Sequence, residues 1–202
     1  MASNRRIGSE ESATRIRLLD AAADLMRTEG HSAVTVRRLA DHAGLKRQLV
    51  HYYFRSMEDL FLAVVERSCV RYMARQEALL ASANPLRAVW ELASVPDGIR
   101  LEIQFMSLSS QFDSVRELMA DFHFRSRQAQ ARAVERRARE DGIDLGGIDA
   151  EGILVILRGI ARSIVMETNI GLTCGHEGAL AEVERYLRLF DRNETEDTGA
   201  AS

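Results

Sequence analysis

Glycine cuts the first quarter of this chain into helical pieces too short to stand alone. Over residues 14–29 apolar side chains recur at helical spacing. Ile16, Leu19, Ala23, Leu25 and Met26 face one way, and Asp20, Asp24 and Arg27 the other. Gly30 ends that helix. Thr35 is a good N-cap for a second helix with Val36, Leu39, Ala40 and Ala43 inward, and Gly44 closes it. A third short helix follows over residues 46–53, with Leu49, Val50 and Tyr53 inward. Two short helices joined by a glycine-containing turn form helix-turn-helix geometry. The last of them opens with Lys46-Arg47-Gln48 and continues through His51 and Tyr52. A recognition helix needs such donors: Arg or Lys bonds guanine, Gln bonds adenine, and others hold phosphates.

The remaining residues also read as helical. Only two of 202 residues are proline, and 46% are hydrophobic, which excludes wholesale disorder. Ser56 caps a long helix with Glu58 and Asp59 in its first turn, where the helix dipole favours acids. Asn84-Pro85 starts another, with proline at the first helical position. Pro96-Asp97-Gly98 reads as a turn before a helix over 99–112, and Ser114 as the cap of a helix reaching 140. Three glycines mark a loop over 141–147. Residues 149–170 form a helix apolar on nearly all sides, and residues 176–191 an amphipathic one. No segment reads as a convincing strand. The expected fold is all-α, a small three-helix head on a larger helical body. The organisation expected is a flexible arm (1–12), the head (13–55), the body (56–192) and a disordered tail (193–202).

Charge follows the same division. The whole chain has a formal net charge of −3. Residues 1–55 hold ten Lys+Arg against six Asp+Glu, a net of +4, whereas residues 56–202 hold 17 against 24, a net of −7. A basic head on an acidic body confines attraction for nucleic acid to the head.

Residues 14–61 resemble the DNA-binding domain of the TetR family of bacterial transcriptional regulators. The matching stretches are IRLLDAAADLMRTEG (16–30), VTVRRLADHAGL (34–45) and LVHYYFRSMEDL (49–60). The resemblance implies that Thr35 is a phosphate-binding cap position. It implies that Arg37, Lys46, Arg47 and Gln48 face the groove, and that His51 and Tyr52 contact phosphate. Phe54 matches a core aromatic that braces the recognition helix. Where the family commonly has a small residue, Gln48 stands here and is long enough to read a base. Met57 replaces the family's basic residue at the start of the fourth helix, and Arg55 is the candidate substitute. The family's fold implies a dimer on a palindromic double-stranded DNA operator, released when a small molecule binds the body, most often as a repressor.

For the body, the residues offer two further expectations. An unusually apolar helix followed by an amphipathic one suits a four-helix interface in a homodimer, the alternative being that the run over 153–166 is simply a central core helix. Its candidate residues are Ile153, Ile156, Ile160, Ile164, Leu180, Val183 and Leu187. Aromatics and methionines concentrate in the middle helices, where Trp90, Phe105, Met106, Met119, Phe122 and His123 are candidates for an effector pocket. Such a pocket is mostly apolar and suits a lipophilic or aromatic effector. Phe122-His123-Phe124 cannot all face inward on one helix.

Enzymatic chemistry has little support. There is no HExxH, no ExxH pair on a helix and no glycine-rich phosphate loop, so no metal or cofactor is implied. Cys174-Gly175-His176 reads as a turn into a helix rather than a nucleophile and base. Cys69 and Cys174 form no CxxC pair and fit a reducing cytoplasm. The run over 153–166 contains Arg158 and Arg162 and is too short to span a bilayer, so no membrane partner is expected. The alternative to a DNA-binding regulator is a helical ligand-binding or interaction module. The basic residues placed over 46–55 argue against it.

Overall fold

The structure is a computed structural model that describes residues 12–191. The expected tail lies outside the described residues, as does the expected arm apart from Ser12. Nine α-helices occur among the described residues: α1 (Ala13–Glu29), α2 (Val36–Ala43), α3 (Arg47–Tyr53), α4 (Met57–Leu80), α5 (Pro85–Ala93), α6 (Pro96–Ser109), α7 (Asp113–Asp141), α8 (Ala150–Asn169) and α9 (His176–Leu187). Short 3-10 turns occupy His31–Ala33 and Arg188–Phe190. The all-α expectation holds, with no strand among the described residues.

These residues divide into two compact units. The first comprises 12–71 with 100–121, and the second 72–99 with 122–191. The compact unit that contains the helix-turn-helix is therefore larger than residues 13–55.

In the first unit the core of α1 is Leu18, Leu19, Ala21, Ala22, Leu25 and Met26. Ile16 and Ala23, expected inward, are only half-buried. α2 adds Leu39, Ala40 and Ala43, α3 adds Val50, and Phe54 is 5% exposed. Phe54 thus sits in the core, with the Arg15 guanidinium 5.4 Å from its ring centroid. In the second unit α5 packs on α8. The core there joins Leu86 and Val89 of α5, Val134 and Ala138 of α7, Ile153, Leu154 and Leu157 of α8, and Val183, Leu187 and Phe190.

Most helix boundaries follow their predicted caps. Thr35 Oγ1 accepts from the Arg38 amide at 3.2 Å, Ser56 Oγ from Asp59 at 3.0 Å and Asn84 Oδ1 from Arg87 at 2.9 Å, while α8 has an unpredicted cap in Asp149, whose Oδ1 accepts from Gly152 at 2.6 Å. Two boundaries differ. α6 begins at Pro96, so Pro96-Asp97-Gly98 is its first turn and not a separate one. Proline lacks only an amide hydrogen that a first turn leaves unbonded, and Asp97 complements the dipole. α7 begins at Asp113, and Ser114 Oγ donates to Glu58 Oε1 at 2.7 Å instead of capping.

Candidate nucleic-acid interface

The turn between α2 and α3 is fixed at three points. Gly44 adopts φ 62°, ψ 39°, the left-handed conformation that glycine enters without strain. The Gly44 amide donates to the Asp41 carbonyl at 3.2 Å and the Leu45 amide to Ala40 at 2.9 Å, which closes the end of α2. Arg17 Nη2 from α1 donates to the Ala43 carbonyl at 2.8 Å. α3 then leaves the turn in a set direction, and Val50 and Phe54 anchor it to the core.

α2 is held to α1 by charge. Arg38 pairs with Glu29 at 2.5 Å, and this hydrogen bond pulls the Glu29 carboxyl below the usual carboxylate range. Asp24 receives Arg27 and, at 2.9 Å, His42. Burial pushes the Asp24 carboxyl up, but these two partners outweigh it and leave the group lowered. The acids of the head therefore occupy Arg27, Arg38 and His42.

The eight residues expected to meet DNA are left at the surface. Thr35, Arg37, Lys46, Arg47, Gln48, His51, Tyr52 and Arg55 are all exposed. Among the described residues, Lys46, Arg47, Gln48 and His51 have no side-chain hydrogen-bond or ionic partner. Arg37 has a loose pair with Asp41 at 3.8 Å. The Tyr52 ring stands edge-on to Tyr53 with centroids 5.0 Å apart. Arg55 follows α3, and its amide is fixed by Asp59 Oδ2 at 3.2 Å. Donors without internal partners, on a short helix locked by its neighbours, are free to bond phosphate and base edges.

The expected effector residues are not brought together as one set within either unit. Phe105 and Met119 are buried in the first unit, where Met106 is 48% exposed. Trp90 and His123 are half-buried and Phe122 is buried in the second. Phe124 is 66% exposed, as three consecutive helical residues require. A depression of about 490 Å³ on α9, lined by Ala181, Glu184, Arg185, Arg188 and Leu189, contains none of the six.

The expected interface residues divide by face. Ile153, Val183 and Leu187 are in the chain's own core, and Ile160 and Ile164 are half-buried. Ile156 and Leu180 are 50% and 42% exposed. Val155 and Met166 join Ile156 on the outer face of α8, so the apolar side chains of this helix divide between the chain's core and its surface.

Two polar groupings escaped the reading of the sequence. In the first unit Gln104 Oε1 accepts from the His31 amide and meets His31 Nδ1, both at 2.9 Å, while Gln111 lies 3.2 Å from His31 Nε2. In the second, the buried side chains of Gln76, Ser126, Gln130 and Arg158 form a network that the half-buried Tyr72 joins. The available signal was a polar residue at an inward helical position: Gln76 falls between Met73 and Leu80 on the stripe of α4.

Among the described residues, no group of three or more His, Cys, Asp or Glu is placed to hold a metal ion, and no helix is long and apolar enough to cross a membrane. Cys174 is exposed, and His176 is engaged by Glu167 at 2.7 Å.

Comparison with known proteins supplies the wider context. Residues 18–64 match the family model of bacterial regulatory proteins, tetR family. An HTH-type transcriptional regulator in the dhlA 5′ region of Xanthobacter autotrophicus is 35% identical over 81 residues, covering 40% of this chain and 38% of that protein. A putative transcriptional regulator from Saccharomonospora viridis, solved in complex with choline, superposes with TM-score 0.70 at 21% identity, covering 91% of this chain and 98% of that one. A TetR transcription regulator from Haloarcula marismortui gives TM-score 0.68 at 19% identity over 86% and 96% of the two chains. The sequence match lies in the helix-turn-helix, and the structural likeness extends the fold through the remaining helices. Over residues 18–64 the chain carries the DNA-binding domain of the bacterial regulatory proteins of the tetR family, and the rest of it shares the fold of such regulators.

Proposed function

We propose that this protein is a cytoplasmic, dimeric DNA-binding repressor whose operator affinity falls when a small molecule binds its body. The observation that carries the reading is the opening of α3, where Lys46, Arg47 and Gln48 are exposed without internal partners beyond a locked turn. Arg47 and Gln48 read base edges. Thr35, Arg37, Lys46, His51, Tyr52 and Arg55 hold phosphates or flank the groove. Two-fold symmetry sets two recognition helices about 34–36 Å apart, which predicts a palindromic operator. The exposed apolar side chains of α8 and α9 support pairing of two chains through these helices. Release follows population shift: a ligand that prefers the conformation with mismatched heads lowers operator affinity by its preference for that conformation. The choline bound by the Saccharomonospora viridis protein supports a ligand-holding role for a body of this fold.

The test is selection of bound genomic fragments, then gel-shift titration of Arg47→Ala and Gln48→Ala. Each loses about 1–3 kcal/mol at its own base pair and relaxes specificity there. Unchanged sequence preference in both variants overturns the recognition assignment.

A further inference from the structure

We infer that the buried network around Arg158 is the recognition point for a carboxylate on the effector. The inference rests on the body being the effector-binding part of the protein.

Arg158 lies on the inner face of α8 and is only 8% exposed. Its Nη2 donates to the Tyr72 hydroxyl at 3.1 Å, and its guanidinium carbon is 5.9 Å from the Tyr72 ring centroid. Nη1 is buried with no partner. Among the described residues, no carboxylate lies within ion-pair distance of this side chain. Buried charges in proteins are paired, because an uncompensated one is expensive to desolvate.

The surrounding hydrogen bonds have a fixed direction. Gln76 Nε2 donates to the Ser126 carbonyl at 3.4 Å, which leaves Gln76 Oε1 to accept from Ser126 Oγ at 2.6 Å and from Gln130 Nε2 at 2.7 Å. Gln130 therefore spends its amide nitrogen on Gln76 and, at 3.3 Å, on the Tyr72 hydroxyl. Its Oε1 is left buried without a donor. The Tyr72 oxygen accepts from both Arg158 and Gln130, so the hydroxyl hydrogen remains unspent.

The network is thus short of one anion and one donor. Its unspent groups are a guanidinium N–H, a phenolic O–H and an amide carbonyl. A carboxylate accepts the first two, as a charge-assisted contact to arginine. A hydroxyl or N–H on the same molecule would satisfy Gln130. Phe122 stands edge-on to Tyr72 with centroids 5.4 Å apart, and Leu154, Leu157 and Ala161 flank Arg158 on α8. The rest of the ligand is therefore apolar, and the effector is a lipophilic organic acid.

Thermal denaturation of the full chain tests this with octanoate and benzoate against octanamide and benzamide, with chloride holding ionic strength constant. The acids raise the wild-type midpoint and the amides do not. Arg158→Met, which keeps volume and removes the charge, abolishes the shift and weakens binding at least tenfold. Without ligand this variant is at least as stable as wild type, since an unpaired buried cation has been removed. Tyr72→Phe keeps the ring and weakens acid binding severalfold. An equal shift in Arg158→Met, or no acid-specific shift in wild type, overturns the inference. If the amides bind and release DNA while the acids do not, the inference falls and the effector-regulated function stands. If the acids bind through Arg158 but leave DNA retention unchanged, the subsite stands and the regulatory function falls.

Discussion

Replacing Ile156 by glutamate should separate the proposed dimerisation from folding. Ile156 is 50% exposed on the outer face of α8, beside Val155 at 49%, which is itself in line with Met166 at 53%. Full burial of such a side chain is worth about 1.5–3 kcal/mol, so covering its exposed half gives roughly 1 kcal/mol per chain. A two-fold interface uses the residue twice, which makes about 2 kcal/mol. Glutamate forfeits that gain and brings two like charges onto one dry face, at a further cost of several kcal/mol. A total near 4 kcal/mol weakens the dimer about a thousandfold. Sedimentation velocity over a concentration series should show Ile156→Glu as a monomer with an unchanged helical circular-dichroism spectrum. Ile153→Glu is the contrast: Ile153 is 3% exposed inside the chain's own core, so this change unfolds the protein. Wild-type dimer affinity in Ile156→Glu would refute the assignment of this face.

Three further predictions follow from individual contacts. Gly44→Ala forces a side chain into φ 62° but meets nothing closer than Arg17 Nη2 at 3.6 Å, so the cost of about 1 kcal/mol is purely conformational; urea titration should also show Gly44→Asn costing less. Arg87→Ala breaks ties to Glu184, bidentate at 3.1 Å, and to Asp191 at 2.7 Å, and should lower the thermal midpoint by about 2–4 °C near neutral pH. Hydrogen bonds from Arg87 hold both carboxyls below their usual range, so this stabilisation is present above that range and is lost as pH falls through the lowered values; the wild type and the variant should converge in acid. Gln104→Leu removes the acceptor shared by the His31 amide and ring, and hydrogen exchange at His31–Ala33 should accelerate while α8 protection is unchanged.

The head was legible because its determinants are local. Gly30, Thr35, Gly44 and Ser56 act through caps and turns spanning a few residues, and the donors of α3 lie within one short helix. Pro96 shows where local reading fails. Pro-Asp-Gly is compatible with both a turn and a helix start, and the helix that follows decides between them. The apolar excess of α8 was visible, but its division was not. Which isoleucines belong to the chain's own core depends on where α5, α7 and α9 lie.

The sequence by itself determined the all-α class, the helix-turn-helix, its charge and the residues it presents to solvent. Hydrophobic period, capping and glycine conformation operate over one or two helical turns and need no distant partner. Tertiary structure alone decided that Ile153 is core while Ile156 is surface, and that Arg158 meets Tyr72 across 86 positions of chain. A charge on an apolar helix reads the same whether it meets solvent, an acid or a hydroxyl. Only packing fixes its neighbours, and with them the cost of leaving it unpaired.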